Sequence, residues 1–353
     1  WSRCLATNLR VALDMQLAVG TPTGIGEYVS GLANALRERG VDVVELCEPK
    51  LDPWRFDRRV AWDQVVLPQR ARASRADVLH CASGTMPLRV TLPTIVTVHD
   101  VAWLKVQRHT RPYARYYFGT FALQRYPHAD AIVVDSVFSR EELLDVLQVP
   151  GDRVHVVYPG VSPDYCALQR RRSGERTILV PGTVERRKNL EVVIRALAAL
   201  PDDARIISVG PSTPYREECE RLAEEHGVGE RIEWRGYVAR EQLLELYSTC
   251  ALVAVPSRYE GFGYAAAQAL CAGTPVIVSD ASSLPEVVAG AAPIASADDD
   301  EEWSREIAAI LAEPEDANAR AQARREAAAA RFSWRASADA LCGVYETALR
   351  KAP

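Results

Sequence analysis

The sequence predicts an α/β fold of two doubly wound domains, each a parallel sheet with helices on both faces. Three observations carry that expectation. Short apolar, strand-like runs alternate with amphipathic helical runs along the chain, as parallel sheets with helical crossovers require. The series breaks once, at the polar and basic stretch QRRRSGER (169–176), and then begins again. The 353 residues also amount to about two domains at roughly 150 residues each. The expected domains are residues 1–170 and 171–353 with a cleft between them, and ligands are expected beyond the carboxyl ends of the strands.

The elements follow in order. RVALDM (10–15) reads as the first strand. In GIGEYVSGLANALRERG, residues Val29, Leu32, Ala33 and Leu36 recur at helical spacing, and Gly40 ends that helix. VDVVEL (41–46), ADVLHC (76–81), TIVTVHD (94–100), ADAIVVDS (129–136) and HVVYPGV (155–161) complete the first set of strands. SREELLDVLQV reads as a helix opened by a capping box, Ser139 with Glu142. The second set is TILVPGT (177–183), ARIISVG (204–210), RIEWRG (231–236), CALVAVP (250–256), TPVIVSD (274–280) and APIAS (292–296). The final amphipathic helix, FSWRASADALCGVYETALRK (332–351), is expected to cross back and brace the first domain.

Composition excludes several classes. Apolar residues make up 48% and charged residues 25% of the chain, so it is not a disordered or low-complexity protein. Forty-two Lys+Arg against 47 Asp+Glu leave a net charge of -5, which argues against a nucleic-acid binder. No run approaches the ~18 apolar residues of a membrane span. The eight cysteines form no CxxC pair and no zinc spacing; several lie in apolar segments and read as reduced core thiols of a cytoplasmic protein. Asp298, Asp299 and Asp300 invite a metal, yet they read as a solvated acidic start of a helix, and no metal site is expected.

Two segments of the second domain carry chemistry. GTVERRKNLEVVIRALAAL (182–200) places Arg187 and Lys188 after a strand and at the start of a helix. Fixed cations beside free N–H groups make an anion site suited to a diphosphate. In SRYEGFGYAAAQALCAGTPVIVSDASSLPEV (257–287), Glu260 precedes Gly261-Phe262-Gly263, and a helix begins near Tyr264. The glycines allow backbone to approach a ligand closely, and the carboxylate can accept hydrogen bonds from sugar hydroxyls.

Taken in order, GTxExRKN, PSxxEGFG and AGTPVIVSDASSLPEV resemble the family-4 retaining glycosyltransferases across the whole second half. GIGEYV, TVHD and DSVFSREEL followed by VVYPGV extend the resemblance more loosely through the first half. It implies the GT-B fold of two Rossmann-like lobes, with the acceptor on the first and the nucleotide sugar on the second. By that resemblance Arg187 and Lys188 bind the donor diphosphate, with Thr183 in the same loop, and Glu260 contacts the donor sugar. Phe262, Gly263 and Tyr264 form the loop whose amides touch sugar hydroxyls. His99, at the end of the strand TIVTV, reaches the sugar near its 6-position. Gly24 and Gly26 form a glycine-rich loop against the diphosphate. The family's second acid falls on Gln268, which can still bond ribose hydroxyls but carries no charge.

The resemblance leads to a retaining, metal-independent hexosyltransferase without a cofactor. Its expected donor is GDP-mannose, with UDP- or dTDP-sugars as the alternative. The expected acceptor is a lipid-linked glycan or oligosaccharide of bacterial surface polysaccharide synthesis. A weakly catalytic sugar-nucleotide-binding protein is a second reading, prompted by Gln268. A nicotinamide-dependent oxidoreductase is a third, but the pattern from Gly24 and Gly26 lacks its third glycine, where Val29 stands. Residues 101–129 hold five Lys/Arg, no acid and aromatics including Trp103, Tyr113, Tyr116 and Tyr117. With Arg55, Arg58, Arg59, Arg70, Arg72 and Arg75, they suggest peripheral contact with an anionic inner leaflet.

Overall fold

A computed structural model describes residues 9–20, 24–102, 113, 115–171, 174–312 and 318–351. The chain divides into two units, Trp1–Gly160 with Phe332–Pro353, and Val161–Arg331. The division falls at Gly160/Val161, ahead of the basic stretch at 169–176. That stretch is not a linker: Arg170 donates from its guanidinium to the carbonyls of Tyr247 (2.8 Å) and Cys250 (2.7 Å), which fastens it to the second unit.

The first unit holds β1 (Arg10–Asp14), β2 (Asp42–Leu46), β3 (Val78–Cys81), β4 (Thr94–Val98), β5 (Ala131–Val134) and β6 (Val154–Val156) in the order β2-β1-β3-β4-β5-β6. The second holds β7 (Thr177–Pro181), β8 (Arg205–Val209), β9 (Ile232–Gly236), β10 (Leu252–Val255), β11 (Val276–Ser279) and β12 (Ile294–Ala295) in the order β12-β11-β10-β7-β8-β9. All pairings are parallel; for example, Val11 faces Val43 and Val78, and Leu252 faces Ile178. The central strands are buried on both faces, which is why they read as unbroken apolar runs. In each sheet the chain order reverses at one place, between β1 and β3 in the first and between β7 and β10 in the second. Such switch points open a crevice beyond the carboxyl ends of the two strands.

Local structure departs from the sequence reading in three places. The helix Val137–Val146 starts three residues early: the Ser136 hydroxyl accepts from the Ser139 amide, so Ser136, not Ser139, is the cap. The basic run at 55–75 is no uniform surface. Phe56–Ala61, Trp62–Val66 and Leu67–Ala73 form one helix with a π-helical middle, and Arg59 is buried within it. Of the aromatic segment, Trp103 lies outside the described residues; Tyr117 and Tyr126 are buried, while Tyr113 and Tyr116 are exposed.

The final helix, Trp334–Lys351, belongs to the first unit, as its amphipathic pattern implies. Ala338, Leu341, Val344 and Tyr345 join the core built by Tyr28, Val29 and Leu32 of the Gly24–Glu38 helix. The Tyr345 hydroxyl is 2.7 Å from Nδ1 of buried His80, whose Nε2 is 2.8 Å from the Thr97 hydroxyl. Burial pushes the His80 pKa down to about 3, so this imidazole is neutral. The Trp334 ring fills the space that side chains at Gly31 and Gly160 would need: an added Cβ at either would lie 2.3 Å from the indole. The seven described cysteines are free thiols, and no helix among the described residues is long and apolar enough to cross a membrane.

Gly31→Ala should therefore lower unfolding stability by about 1–3 kcal/mol, the usual cost of overpacking. Gly24→Ala, where an added Cβ meets nothing within 4 Å, should cost far less. Urea denaturation of the two variants checks the contrast.

Candidate functional site

In the second unit the switch point lies between β7 and β10, and the loops leaving these two strands carry the charged residues. After β7 the chain runs through Gly182 and half-buried Thr183 to a single 3-10 turn, Arg186–Lys188. Asn189 then takes the left-handed conformation (φ 55°), which Asn tolerates better than most residues. Its side-chain amide donates to the carbonyls of Pro256 (3.1 Å) and Ala297 (2.8 Å). That buried anchor sets the direction from which Arg187 and Lys188 leave the turn and the Leu190–Leu197 helix begins. The Arg258 amide donates to the Arg187 carbonyl (2.7 Å) and ties the two loops together.

After β10 the chain delivers Glu260, only 8% exposed. Lys188 Nζ lies 2.5 Å from Glu260 Oε1, and Arg187 Nη1 lies 3.3 Å from Oε2. The Ser257 hydroxyl donates to Oε1 (2.7 Å), and the Glu260 amide donates to the Ser282 hydroxyl (2.9 Å). Arg187 also pairs with Glu185 (2.8 Å) and donates to the Tyr259 carbonyl (3.1 Å). Burial works against the Glu260 carboxylate, but Lys188 and Arg187 outweigh it and hold its pKa below the usual carboxylate value. A carboxylate has about four acceptor positions, so Glu260 can still take a further hydrogen bond from a ligand.

The Tyr264–Ala272 helix starts immediately after this loop, and Gly263 at its cap is left-handed (φ 96°). A Cβ at Gly263 would lie 2.7 Å from Leu284, so conformation and space both call for glycine. Phe262 is buried and packs edge-on to Tyr264, with ring centroids 5.3 Å apart. Its side chain therefore holds the loop, and the Ser283 hydroxyl donates to the Phe262 carbonyl (2.8 Å). Gln268, one helical face further along, is half-buried, and its Oε1 accepts from the Tyr247 hydroxyl (3.2 Å). The structure thus brings Arg187, Lys188 and Glu260 into contact beyond β7 and β10, with Thr183 in the first of the two loops and Phe262, Gly263 and Tyr264 in the second and at the helix start it leads into; Gln268 lies further along that helix, where it meets Tyr247.

His99, Gly24 and Gly26 belong to the first unit. Gly24 and Gly26 lie in the first turn of the Gly24–Glu38 helix rather than in a loop. His99 follows β4. Its Nδ1 is 2.7 Å from Asp135 Oδ2 and its Nε2 is 3.0 Å from the Ala82 carbonyl. Both partners are acceptors, so both ring nitrogens donate and the ring is an imidazolium. Burial opposes that charge, but Asp135 overcomes it and raises the His99 pKa. Tyr28 packs edge-on to the ring at 4.9 Å. Asp135 is the partner that sequence reasoning missed; it stands inside the quoted motif DSVFSREEL, but its contact with His99 spans 36 positions. Asp298 pairs with Arg258, and Asp299 accepts from the Glu302 amide (2.9 Å), so that acidic run serves local structure. Among the described residues no three His, Cys, Asp or Glu side chains cluster to hold a metal ion.

Residues 22–165 match the family described as Glycosyltransferase Family 4, and residues 167–328 match Glycosyl transferases group 1. A D-inositol 3-phosphate glycosyltransferase of Mycolicibacterium smegmatis is 32% identical over 235 residues, 63% of this chain and 54% of that protein. The chain thus spans about half the length of the curated relatives it matches. Among solved structures, sucrose-phosphate synthase from Thermosynechococcus elongatus has a TM-score of 0.77 at 22% identity, covering 98% of this chain and 100% of that one. HepE of Anabaena, in complex with UDP-glucose, has a TM-score of 0.73 at 15% identity, covering 96% and 99%. The fold is that of the GT-B glycosyltransferases.

The depressed Glu260 pKa has a signed consequence. Its stabilisation is complete above the unfolded carboxylate value of about 4.5 and is lost as pH falls through the lower folded value. Glu260→Gln should therefore lose stability at pH 7 and show a flatter acid limb than wild type between about pH 5 and pH 3. Urea denaturation across that range checks it; parallel curves would remove the ion triad from the account.

Proposed function

Because the chain belongs to the family-4, group 1 glycosyltransferases, we propose that it moves a hexosyl group from a nucleoside diphosphate sugar to an acceptor hydroxyl with retention of configuration. The observation that carries this reading is the pair of cations on the β7 loop, held against a carboxylate from the β10 loop at the switch point of the second sheet. A donor diphosphate entering there competes with Glu260 for Lys188 and Arg187. As the C1–O bond to the diphosphate breaks, negative charge grows on the leaving oxygen, and the two cations oppose it. The N-terminus of the Tyr264–Ala272 helix adds its dipole. These groups supply the positive charge the step needs, so we read it as metal-independent.

Glu260, freed in part from its cations, takes a donor-sugar hydroxyl. Glu260 is committed to Lys188, Arg187 and the sugar hydroxyl and is not the nucleophile in this reading, so the acceptor oxygen attacks C1 from the face the diphosphate leaves. Its proton passes to the departing phosphate oxygen. Gln268, oriented by Tyr247, offers its amide to the ribose without adding charge. GDP-mannose is the donor that the resemblance to the family's mannosyltransferase-like branch implies, and a UDP-hexose is the second reading, favoured by the UDP-glucose that HepE binds.

Lys188→Ala should cut turnover at least ~100-fold, the scale for losing one preorganised contact to a developing anion. Gln268→Glu should keep or tighten donor binding. Steady-state kinetics on GDP-mannose and UDP-glucose check both, and near-normal turnover of Lys188→Ala would count against the assignment. On the first unit, Val65, Leu88 and Tyr116 are exposed, and the Leu88 amide donates to Gln64 beside Val65. These exposed apolar side chains, with exposed Arg58 and Arg115 on the same unit, support peripheral contact with an anionic membrane. Liposome flotation should recover more protein with anionic lipid than without; equal recovery would end that reading.

A further inference from the structure

Two cysteines of the second unit form a pair. Cys166 ends the short Pro163–Cys166 helix and is half-buried, and Cys271, fully buried, lies in the last turn of the Tyr264–Ala272 helix. The two helices pack on one another and bring the thiols within hydrogen-bond reach. Both thiols are free. A cation completes the group. Arg325, on the Asn318–Arg331 helix, donates from Nη2 to the carbonyl of Ala272 (2.9 Å), the residue after Cys271, and its charge acts on Cys166.

The two thiols are unequal. The hydrogen bond with Cys271 lowers the Cys166 pKa, and the Arg325 charge adds to it against half-burial. The same hydrogen bond, together with burial, pushes Cys271 well above the usual thiol value. Cys166 is thus the thiolate and is reached by solvent, while Cys271 keeps its proton behind it. An accessible thiol of lowered pKa beside a second thiol is how redox-sensitive cysteines are built. Cys47 gives the contrast. It is half-buried too, but burial and Glu45 raise its pKa.

We propose that Cys166 and Cys271 are a site of reversible oxidation, at which hydrogen peroxide converts the two thiols to one disulfide. The Cys166 thiolate attacks one peroxide oxygen, the O–O bond breaks, and the departing hydroxide takes up the proton that Cys166 gave to solvent, leaving as water. Cys271 Sγ then attacks the sulfenic sulfur of Cys166. The S–S bond forms, the S–O bond breaks, and the second hydroxide leaves as water with the Cys271 proton. Each sulfur gives up one electron, and the peroxide takes both. The bridge fastens the Pro163–Cys166 helix to the end of the helix that begins beside Gly263. This chemistry does not depend on the transferase reading.

The test is peptide mapping by mass spectrometry of the full, reduced chain after one equivalent of hydrogen peroxide at pH 7, with the remaining thiols blocked by iodoacetamide. The expected product is an intrachain Cys166–Cys271 disulfide, at least ~10-fold more abundant than any other cysteine pair and returned to two thiols by dithiothreitol. Before oxidation, iodoacetamide should modify Cys166 at least ~10-fold faster than Cys47 at the same pH. In Cys166→Ser, a change at a half-buried position, Cys271 should remain a thiol under the same treatment. Cys166 that ends as a sulfinic acid, pairs with another cysteine or with a second chain, or reacts no faster than Cys47 would overturn the proposal. So would oxidation of Cys271 in Cys166→Ser, since the buried thiol would then need no partner.

Discussion

A carboxylate buried as deeply as Glu260 must be charge-compensated, and that requirement organises the second unit. An unpaired ionised carboxylate in the protein interior costs several kcal/mol. Here Lys188, Arg187 and Ser257 supply the compensation. To bring them there, the β7 loop must turn sharply, which the left-handed Asn189 achieves, and the β10 loop must carry Glu260 back toward it. Gly263 then has room to start the next helix against Leu284. Glu260, Lys188 and Arg187 form the triad whose cations, in the proposed reading, an incoming diphosphate claims. In the proposed reading, folding and donor recognition draw on one electrostatic arrangement.

The first unit solves a similar problem twice. Arg59 and Asp63 neutralise one another one helical turn apart, inside a helix with a π-helical middle. His99 and Asp135 do so across the carboxyl ends of β4 and β5. Both ring nitrogens of His99 are already committed within this unit, so its protonated ring acts as a fixed cation. Both pairs border the carboxyl edge of the sheet, where doubly wound folds place their ligands.

Most of the fold was legible in the sequence because a strand buried on both faces shows as a short apolar run. The central strands of each sheet can be read this way, the half-exposed edge strands such as VDVVEL and RIEWRG show as mixed runs, and the amphipathic final helix announces its return. Residues whose place depends on distant partners were not legible. Arg59 looks like a surface cation until Asp63, Ser83 and Thr85 surround it. The stretch at 169–176 looks like a linker until Arg170 meets the carbonyls of Tyr247 and Cys250. Ser139 reads as the cap from its spacing to Glu142, but the backbone path makes Ser136 the cap. In the candidate site, Arg187, Lys188 and Glu260 stood out by residue type and spacing. Their mutual ion pairs join positions 72 and 73 residues apart, and nothing local to either segment encodes them.

The central claim is that the triad at the ends of β7 and β10 is a diphosphate site. Thermal unfolding in the presence of GDP, UDP, dTDP, ADP and NAD addresses it most directly, because a ligand that binds only the native state raises stability by an amount that grows with the logarithm of its concentration relative to Kd. A selective rise with one nucleoside diphosphate, absent in Lys188→Ala, is the predicted result. A rise with NAD alone, or one unchanged by Lys188→Ala, would contradict the claim.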